Sequence, residues 1–269
     1  MDNREQMILD RLEGNRSFSY AKLADLFGVC PMTIRRDVER LVQRGAVIKT
    51  LGGVRRTAPE SANLHETALL SRLARQRLEK RAIARVALGL IEAGQTVFID
   101  GSSTCLELAK LLAREAKGLT VVTNSIMVCR DLGQNNNNVV VGLGGQYDPA
   151  SLSFAGAACE EEARKFFPDV AVFSTKGFVP AIGTYESFFP TLHIKQLVAR
   201  QSRRVVLLAD HTKFGQRALR KVLDISQIHD VITDAAAPRA GLALLKKQNK
   251  RVWIAAADAV ATQGSRRKP

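Results

Sequence analysis

Five short clusters of small polar and charged residues carry most of the chemistry this sequence offers, and each follows an apolar run. Asp100-Gly101-Ser102-Ser103-Thr104 follows Thr96–Ile99, Asn124-Ser125 follows Leu119–Thr123, and Gly144-Gly145 follows Val139–Leu143. Thr175-Lys176-Gly177 follows Ala171–Ser174, and Asp210-His211-Thr212-Lys213 follows Val205–Ala209. A Gly-Ser-Ser-Thr run that opens a helix can cradle a phosphate: backbone N–H groups and the positive helix end face the anion, and hydroxyls add donors. Lys213 supplies a point charge, while Asp100 and Asp210 can accept hydrogen bonds from sugar hydroxyls. If the apolar runs are strands, all five clusters fall beyond their carboxyl ends, where open α/β sheets collect ligands. Together they point to a polar, phosphorylated ligand.

Signs of catalysis are absent from the sequence. His65, His193, His211 and His229 show no metal-ligand spacing, and only His211 falls in one of the clusters. No nucleophile elbow, Walker A loop or GxGxxG fingerprint occurs. Cys30, Cys105, Cys129 and Cys159 are far apart without a CxxC pair, which reads as reduced thiols in a cytoplasmic protein. No catalytic residue, metal site or cofactor is assigned.

A second kind of chemistry lies near the N-terminus. Ile34, Val38, Leu41 and Val42 repeat at i, i+4, i+7 and i+8, so the helix opening at Pro31 buries one stripe. Met32, Thr33, Arg35 and Arg36 are left on or near its other face, where an arginine fork can bind guanine or neutralise a phosphate. Asp37 points away from this task and is expected to pair with a neighbouring arginine. Before that helix, Ser19 caps a shorter one that Gly28 ends; after it, Gly45 stops the chain, Ala46–Lys49 alternate as a strand, and Gly52-Gly53 turn a hairpin. Lys49, Arg55 and Arg56 flank that turn. Three helices and a basic hairpin make a winged helix-turn-helix, whose second motif helix enters the major groove of double-stranded DNA.

The remaining elements follow from the pattern. Residues 54–65 lack apolar periodicity and read as a linker, Ile83, Val86, Ala87, Leu90 and Ile91 stripe a long helix, and apolar runs then alternate with helical stretches to the end. That alternation predicts an α/β domain with a mostly parallel sheet. The expected organisation is a winged helix-turn-helix over 1–57, a linker and the start of a connecting helix over 58–75, an effector-binding α/β domain over 76–255 and a basic tail over 256–269. The 269 residues are 46% hydrophobic with no apolar stretch long enough to span a membrane, and the charged N-terminus has no signal core. The net charge of +14 favours an anionic partner, but residues 201–269 hold 14 Lys and Arg against 5 Asp and Glu, so charge alone does not locate a DNA-binding face.

With these residues in view, the sequence resembles the DeoR (deoxyribose-operon-repressor) family of transcriptional regulators. The resemblance is carried by Thr33-Ile34-Arg35-Arg36-Asp37-Val38, Leu41, Gly45 and Gly52-Gly53, then by Lys80, Phe98–Thr104, Val122–Ser125, Gly144-Gly145, Leu208-Ala209-Asp210 with Lys213-Phe214, and Val231–Asp234. It implies a bacterial regulator, most often a repressor of sugar catabolism, with an effector domain similar in fold to ribose-5-phosphate isomerase and a phosphorylated sugar as effector. It implies that the Ser/Thr loop and the Ala-Asp-x-x-Lys segment surround the sugar phosphate, which matches Ser102, Ser103, Thr104, Asp210 and Lys213; the clusters themselves add Asp100, Gly101, Asn124, Ser125, Gly144, Gly145 and Lys176 to the expected effector-binding set. A homo-oligomer, dimer or tetramer, would pair two winged helices on repeated half-sites. The alternative is a sugar-phosphate isomerase-like enzyme with an appended DNA-binding domain. The chain departs from the family pattern in three places. Cys30 stands where serine usually caps the recognition helix, so that helix is expected to start slightly later; Ser174-Thr175-Lys176 adds a charge where small residues are usual; and Gly183–Gln196 lacks the usual acidic run, so no site residue is assigned there.

Overall fold

The computed structural model describes residues 3–12, 17–43, 46–50, 52–56, 69–115, 117–134, 137–187 and 191–256. Gly45, most of the expected linker and the basic tail lie outside the described residues. The N-terminal part is built from α1 (Asn3–Arg11), β1 (Ser17–Ser19), α2 (Tyr20–Phe27), α3 (Pro31–Gln43) and a hairpin of β2 (Val47–Thr50) and β3 (Gly53–Arg56). Ser19 caps α2 by accepting the Lys22 N–H, and Gly28 ends it at φ 62° in the left-handed region. The poor thiol cap does not delay α3. Pro31 pre-sets the first helical φ, and the Cys30 carbonyl accepts the Thr33 and Ile34 N–H groups. Ile34, Val38 and Leu41 are fully buried in a core with Ile8, Leu12 and Leu23. Strand β1 was not expected; it pairs with β3 to give the order β1-β3-β2. A side chain at Gly53 would place its Cβ 2.3 Å from the Phe18 carbonyl oxygen, so the close approach of β1 requires glycine there.

Asp37 is fully buried and binds Arg4 from α1 at 2.5 Å and Arg40 one turn further along α3; Arg40 also reaches Glu5 at 2.8 Å. These ions tie α1 to the helix that presents the arginines. Asp37→Ala is expected to cost ~1–3 kcal/mol of local stability, because charge-assisted hydrogen bonds are lost from a buried position. Amide exchange in α1 and α3 should quicken about 10–100-fold; unchanged rates would show the cluster to be dispensable.

The α/β part opens with α4 (Leu69–Ala74) and α5 (Arg77–Gly89). The expected single connecting helix is thus broken, at Gln76, whose φ of 48° is left-handed. There follow β4 (Thr96–Ile99), α6 (Ser103–Leu112), β5 (Thr120–Thr123), α7 (Ile126–Leu132), β6 (Val139–Gly142), β7 (Gln146–Asp148), β8 (Ser153–Ala155) and α8 (Ala157–Ala163). The chain continues through β9 (Val170–Ser174), β10 (Gly177–Val179), β11 (Gly183–Glu186), α9 (Leu192–Gln201), β12 (Arg204–Leu208), β13 (Arg220–Asp224), β14 (Asp230–Asp234), α10 (Arg239–Lys247) and β15 (Arg251–Ala255). Seven strands form one sheet in the order β15-β14-β12-β9-β4-β5-β6, and every neighbouring pair is parallel.

The five inner strands read as largely apolar runs because both faces are covered. Val97 and Ile99 join Ile83, Leu106 and Val128 in one core, whereas Phe98 joins Phe173, Leu192 and Val198 in the other. Chain order also fixes where a ligand can enter. From β4 the chain moves outward through β5 and β6, then returns to lay β9 on the other side of β4. The β4–β9 boundary is therefore a topological switch point, where loops beyond the strand ends diverge and leave a crevice.

Candidate functional site

A cavity of about 140 Å³ lies at this switch point. Its walls include Asp100–Thr104 from the end of β4, Ser174–Lys176 from the end of β9, Asn124 after β5 and Lys213 after β12. Ser102 caps α6 by accepting the Cys105 N–H, so the first turn of that helix faces the space. Gly101 is needed here: a Cβ would sit 2.3 Å from the Ser153 hydroxyl oxygen of the β7–β8 hairpin.

Four residues expected at the site do not line the cavity. Ser125 turns inward to cap α7. Gly144 and Gly145 lie at the start of the β7–β8 hairpin; a Cβ on Gly145 would come 2.7 Å from the Ala155 carbonyl oxygen and 2.9 Å from Cys159, so packing explains that glycine. Asp210 caps the 3₁₀ turn His211–Lys213, accepting the Thr212 N–H at 3.0 Å and the Thr212 hydroxyl. The turn that it caps carries Lys213 to the cavity wall. His211 steadies the same turn, with Nδ1 2.9 Å from an oxygen of Asp234.

Asp100 does line the cavity, but its oxygens are already engaged. Oδ1 accepts the Ser102 N–H at 2.9 Å; Oδ2 accepts the Ser174 N–H at 3.2 Å and lies 3.1 Å from the Lys195 ammonium. Lys195 also donates to Glu186 at 2.6 Å and to the Ser174 carbonyl at 2.8 Å, which occupies its three protons. Burial works against both charges, yet Lys195 and the Ser102 bond hold the Asp100 carboxyl below its ordinary range, while Glu186 and Asp100 hold Lys195 above the ordinary ammonium range. This Asp100–Lys195–Glu186 triad joins the ends of β4, β9 and β11 to α9. It forms part of the cavity lining. The segment given no site residue therefore contributes Glu186, Thr191, Ile194 and Lys195 to the cavity.

The opposite charge balance holds at Lys80, which lines the cavity with Arg72, Arg75 and Lys213. Burial, opposed by Asp210 and reinforced by Lys213, lowers the Lys80 ammonium to about 8. Both missed lysines had a signal. Lys80 continues the stripe of Ile83, Ala84 and Ala87, and Lys195 stands between Leu192 and Val198 on the buried face of α9. A lysine on an apolar stripe needs a partner inside.

At the winged helix, Met32, Arg35 and Arg36 are exposed on α3 and Thr33 is half-buried. The Arg35 guanidinium stacks over the Tyr20 ring, 5.5 Å from its centre, which fixes its direction. Thr33 Oγ1 lies 3.2 Å from Cys30 Sγ, an interaction that lowers the Cys30 thiol from its ordinary value. Lys49 on β2 pairs with Glu39 of α3 at 3.0 Å. The backbone places Arg55 and Arg56 on β3, and their side chains lie outside the described residues.

A family model described as the DeoR-like helix-turn-helix domain matches residues 4–60, and one described as the DeoR C terminal sensor domain matches residues 75–235. The chain belongs to the DeoR family. The HTH-type transcriptional regulator YgbI of Escherichia coli (strain K12) is 33% identical over 256 residues, 94% of this chain and 97% of that protein. The glycerol-3-phosphate regulon repressor of the same organism is 28% identical over 87% of this chain and 91% of its own. Among solved structures, ribose 5 phosphate isomerase A from Neisseria gonorrhoeae overlaps 51% of this chain and 53% of its own at 19% identity, with a TM-score of 0.39. The DeoR sensor match takes in each cavity residue named above except Arg72. In this DeoR-family chain no helix among the described residues is long and apolar enough to cross a membrane, and no cluster of three His, Cys, Asp or Glu among them could hold a metal.

Proposed function

We propose that the protein is a sequence-specific transcriptional repressor of a sugar-catabolic operon, released from double-stranded operator DNA when a phosphorylated sugar enters the cavity. One observation carries the reading: a crevice at the β4–β9 switch point, lined by a capped helix start, hydroxyls and Lys213, lies in the same chain as a helix exposing Arg35 and Arg36. The glycerol-3-phosphate regulon repressor, a relative over most of the chain, is named for the regulon of a small organic phosphate. The winged helix occupies 1–57, the connecting segment 58–75 and the effector domain 76–255. A homo-oligomer places two α3 helices on repeated half-sites. Catalysis has little support in the cavity, where Asp100 and Glu186 are both held by Lys195.

Fluorescence anisotropy of the protein on labelled DNA from upstream of its own gene, against a scrambled duplex at two salt concentrations, tests the reading. Preference of about 10³-fold or more is expected for the operator, and sugar phosphates should release it. Equal, steeply salt-dependent binding to both duplexes would report only the positive charge. In the same assay Arg35→Ala should cost ~1–3 kcal/mol and relax base preference at one position. A uniform loss with a shallower salt slope would make Arg35 a phosphate contact instead.

A further inference from the structure

Helix α4 has six residues, well below the ~12–15 that an isolated helix needs to persist in water. It is pinned at both ends by tertiary bonds. At its head the Leu69 N–H donates to the Ala150 carbonyl at 2.9 Å, and Leu69 is fully buried. At its tail the Lys80 ammonium donates to the Arg72 and Arg75 carbonyls, each at 2.6 Å. So held, α4 and the turn after it bring Arg72 and Arg75 to the cavity wall beside Lys80 and Lys213. The residue after Ala150 is Ser151, which also lines the cavity. Its N–H is fixed by Asp148 at 2.6 Å, it is 6% exposed, and its hydroxyl oxygen is buried without a hydrogen-bond partner. A buried hydroxyl left unmet on a cavity wall marks a place where a ligand atom completes the bonding.

We propose that α4 and the β7–β8 turn form an effector-contacting wall. Ser151 hydrogen-bonds an oxygen of the phosphorylated ligand, Arg72 and Arg75 attract its charge, and Lys80 is the positioning residue that keeps the wall assembled. This rests on the sugar-phosphate reading above and adds contacts it does not contain. The wall also begins where the segment from the winged helix ends in sequence. A ligand that tightens α4 therefore acts on the chain leading back to the DNA-binding domain.

Amide hydrogen exchange of the full chain, alone and with ribose 5-phosphate, glucose 6-phosphate, glycerol 3-phosphate or inorganic phosphate, tests the wall. A probe that protects residues 101–106 is expected to slow exchange in 69–76 and 150–153 about tenfold as well. Ser151→Ala, a small change that preserves the fold, should weaken that probe about tenfold. With the probe raised to saturation to offset weaker binding, Lys80→Met should uncouple the two segments: 101–106 is still protected by the probe, while 69–76 exchanges fast with or without it. Protection of 101–106 with 69–76 unchanged in the wild type overturns the wall and leaves the sugar-phosphate reading standing. Protection of neither segment by any of the four probes overturns that reading and the wall with it.

Discussion

Replacing Lys195 with methionine is expected to destabilise the α/β domain by about 3–5 kcal/mol at neutral pH, because two buried carboxylates lose their cation. Lys195 lies 3.1 Å from Asp100 and 2.6 Å from Glu186, and its side chain is only 10% exposed, so water cannot replace it. The pH dependence gives the test its sign. In the wild type, Asp100 is held below its ordinary value, so its contribution is present above about pH 4, the unfolded carboxyl value, and is lost as pH falls. Lys195 is held above its ordinary value, so its contribution is full below about pH 10 and declines only in stronger alkali. In the variant the Asp100 carboxylate is the destabilising form, and acid relieves it. Urea unfolding should therefore show the gap between the two proteins narrowing from pH 7 towards pH 4, and adding Asp100→Asn should recover part of the loss. A gap under ~1 kcal/mol, or one that acid does not narrow, would show that the three charges do not depend on one another. The same variant should bind effector poorly, since Asp100 Oδ1 orders the Ser102 N–H at the head of α6.

That triad also shows where the sequence stops being informative. Strands β4, β5, β9, β12 and β14 are legible because each is a largely apolar run buried on both faces, the edge strands β6 and β15 because their runs are apolar although partly exposed, and α3 because Ile34, Val38 and Leu41 repeat at helical spacing. Strands β1, β7, β8, β10, β11 and β13 are mostly three or four residues long, and their pairing is set by partners distant in sequence, as when β11 joins β13. The loops at strand ends are likewise legible as polar clusters, but which of their atoms remain for a ligand is not. Asp100 reads as a free acceptor in the sequence, which gives no sign that Lys195, ninety-five positions away, is bound to one of its oxygens. Gly145 reads as part of a binding loop until Cys159 is seen packed against it. Arg72 and Arg75 belong to no periodic pattern, and the bonds at the two ends of α4 hold the segment that carries them to the cavity.

Lys213→Ala should raise the effector concentration needed for half-release from operator about 10–100-fold, the loss of one charge-assisted bond to a phosphate. DNA affinity without effector should stay within about twofold, because the change removes no group from α3 or the wing, and the two readings together separate effector binding from DNA binding. A variant that responds at the wild-type concentration would move the phosphate away from the His211–Lys213 turn. The neighbouring Lys80 supplies an independent check. With its ammonium lowered to about 8, Lys80 is partly deprotonated near pH 8, and a phosphate arriving beside it favours the charged form. Effector binding at pH 8 should take up a fraction of a proton, and binding should weaken as pH rises above about 8. The groups acting on Lys80 include Asp210 and Glu107, which raise its pKa, and Lys213 and Arg72, which lower it. Removing Lys213 therefore raises Lys80 before any ligand arrives, and proton uptake in the variant should shrink. Calorimetry in buffers of different ionisation enthalpy measures that uptake. No uptake by either protein would place the phosphate out of reach of both lysines.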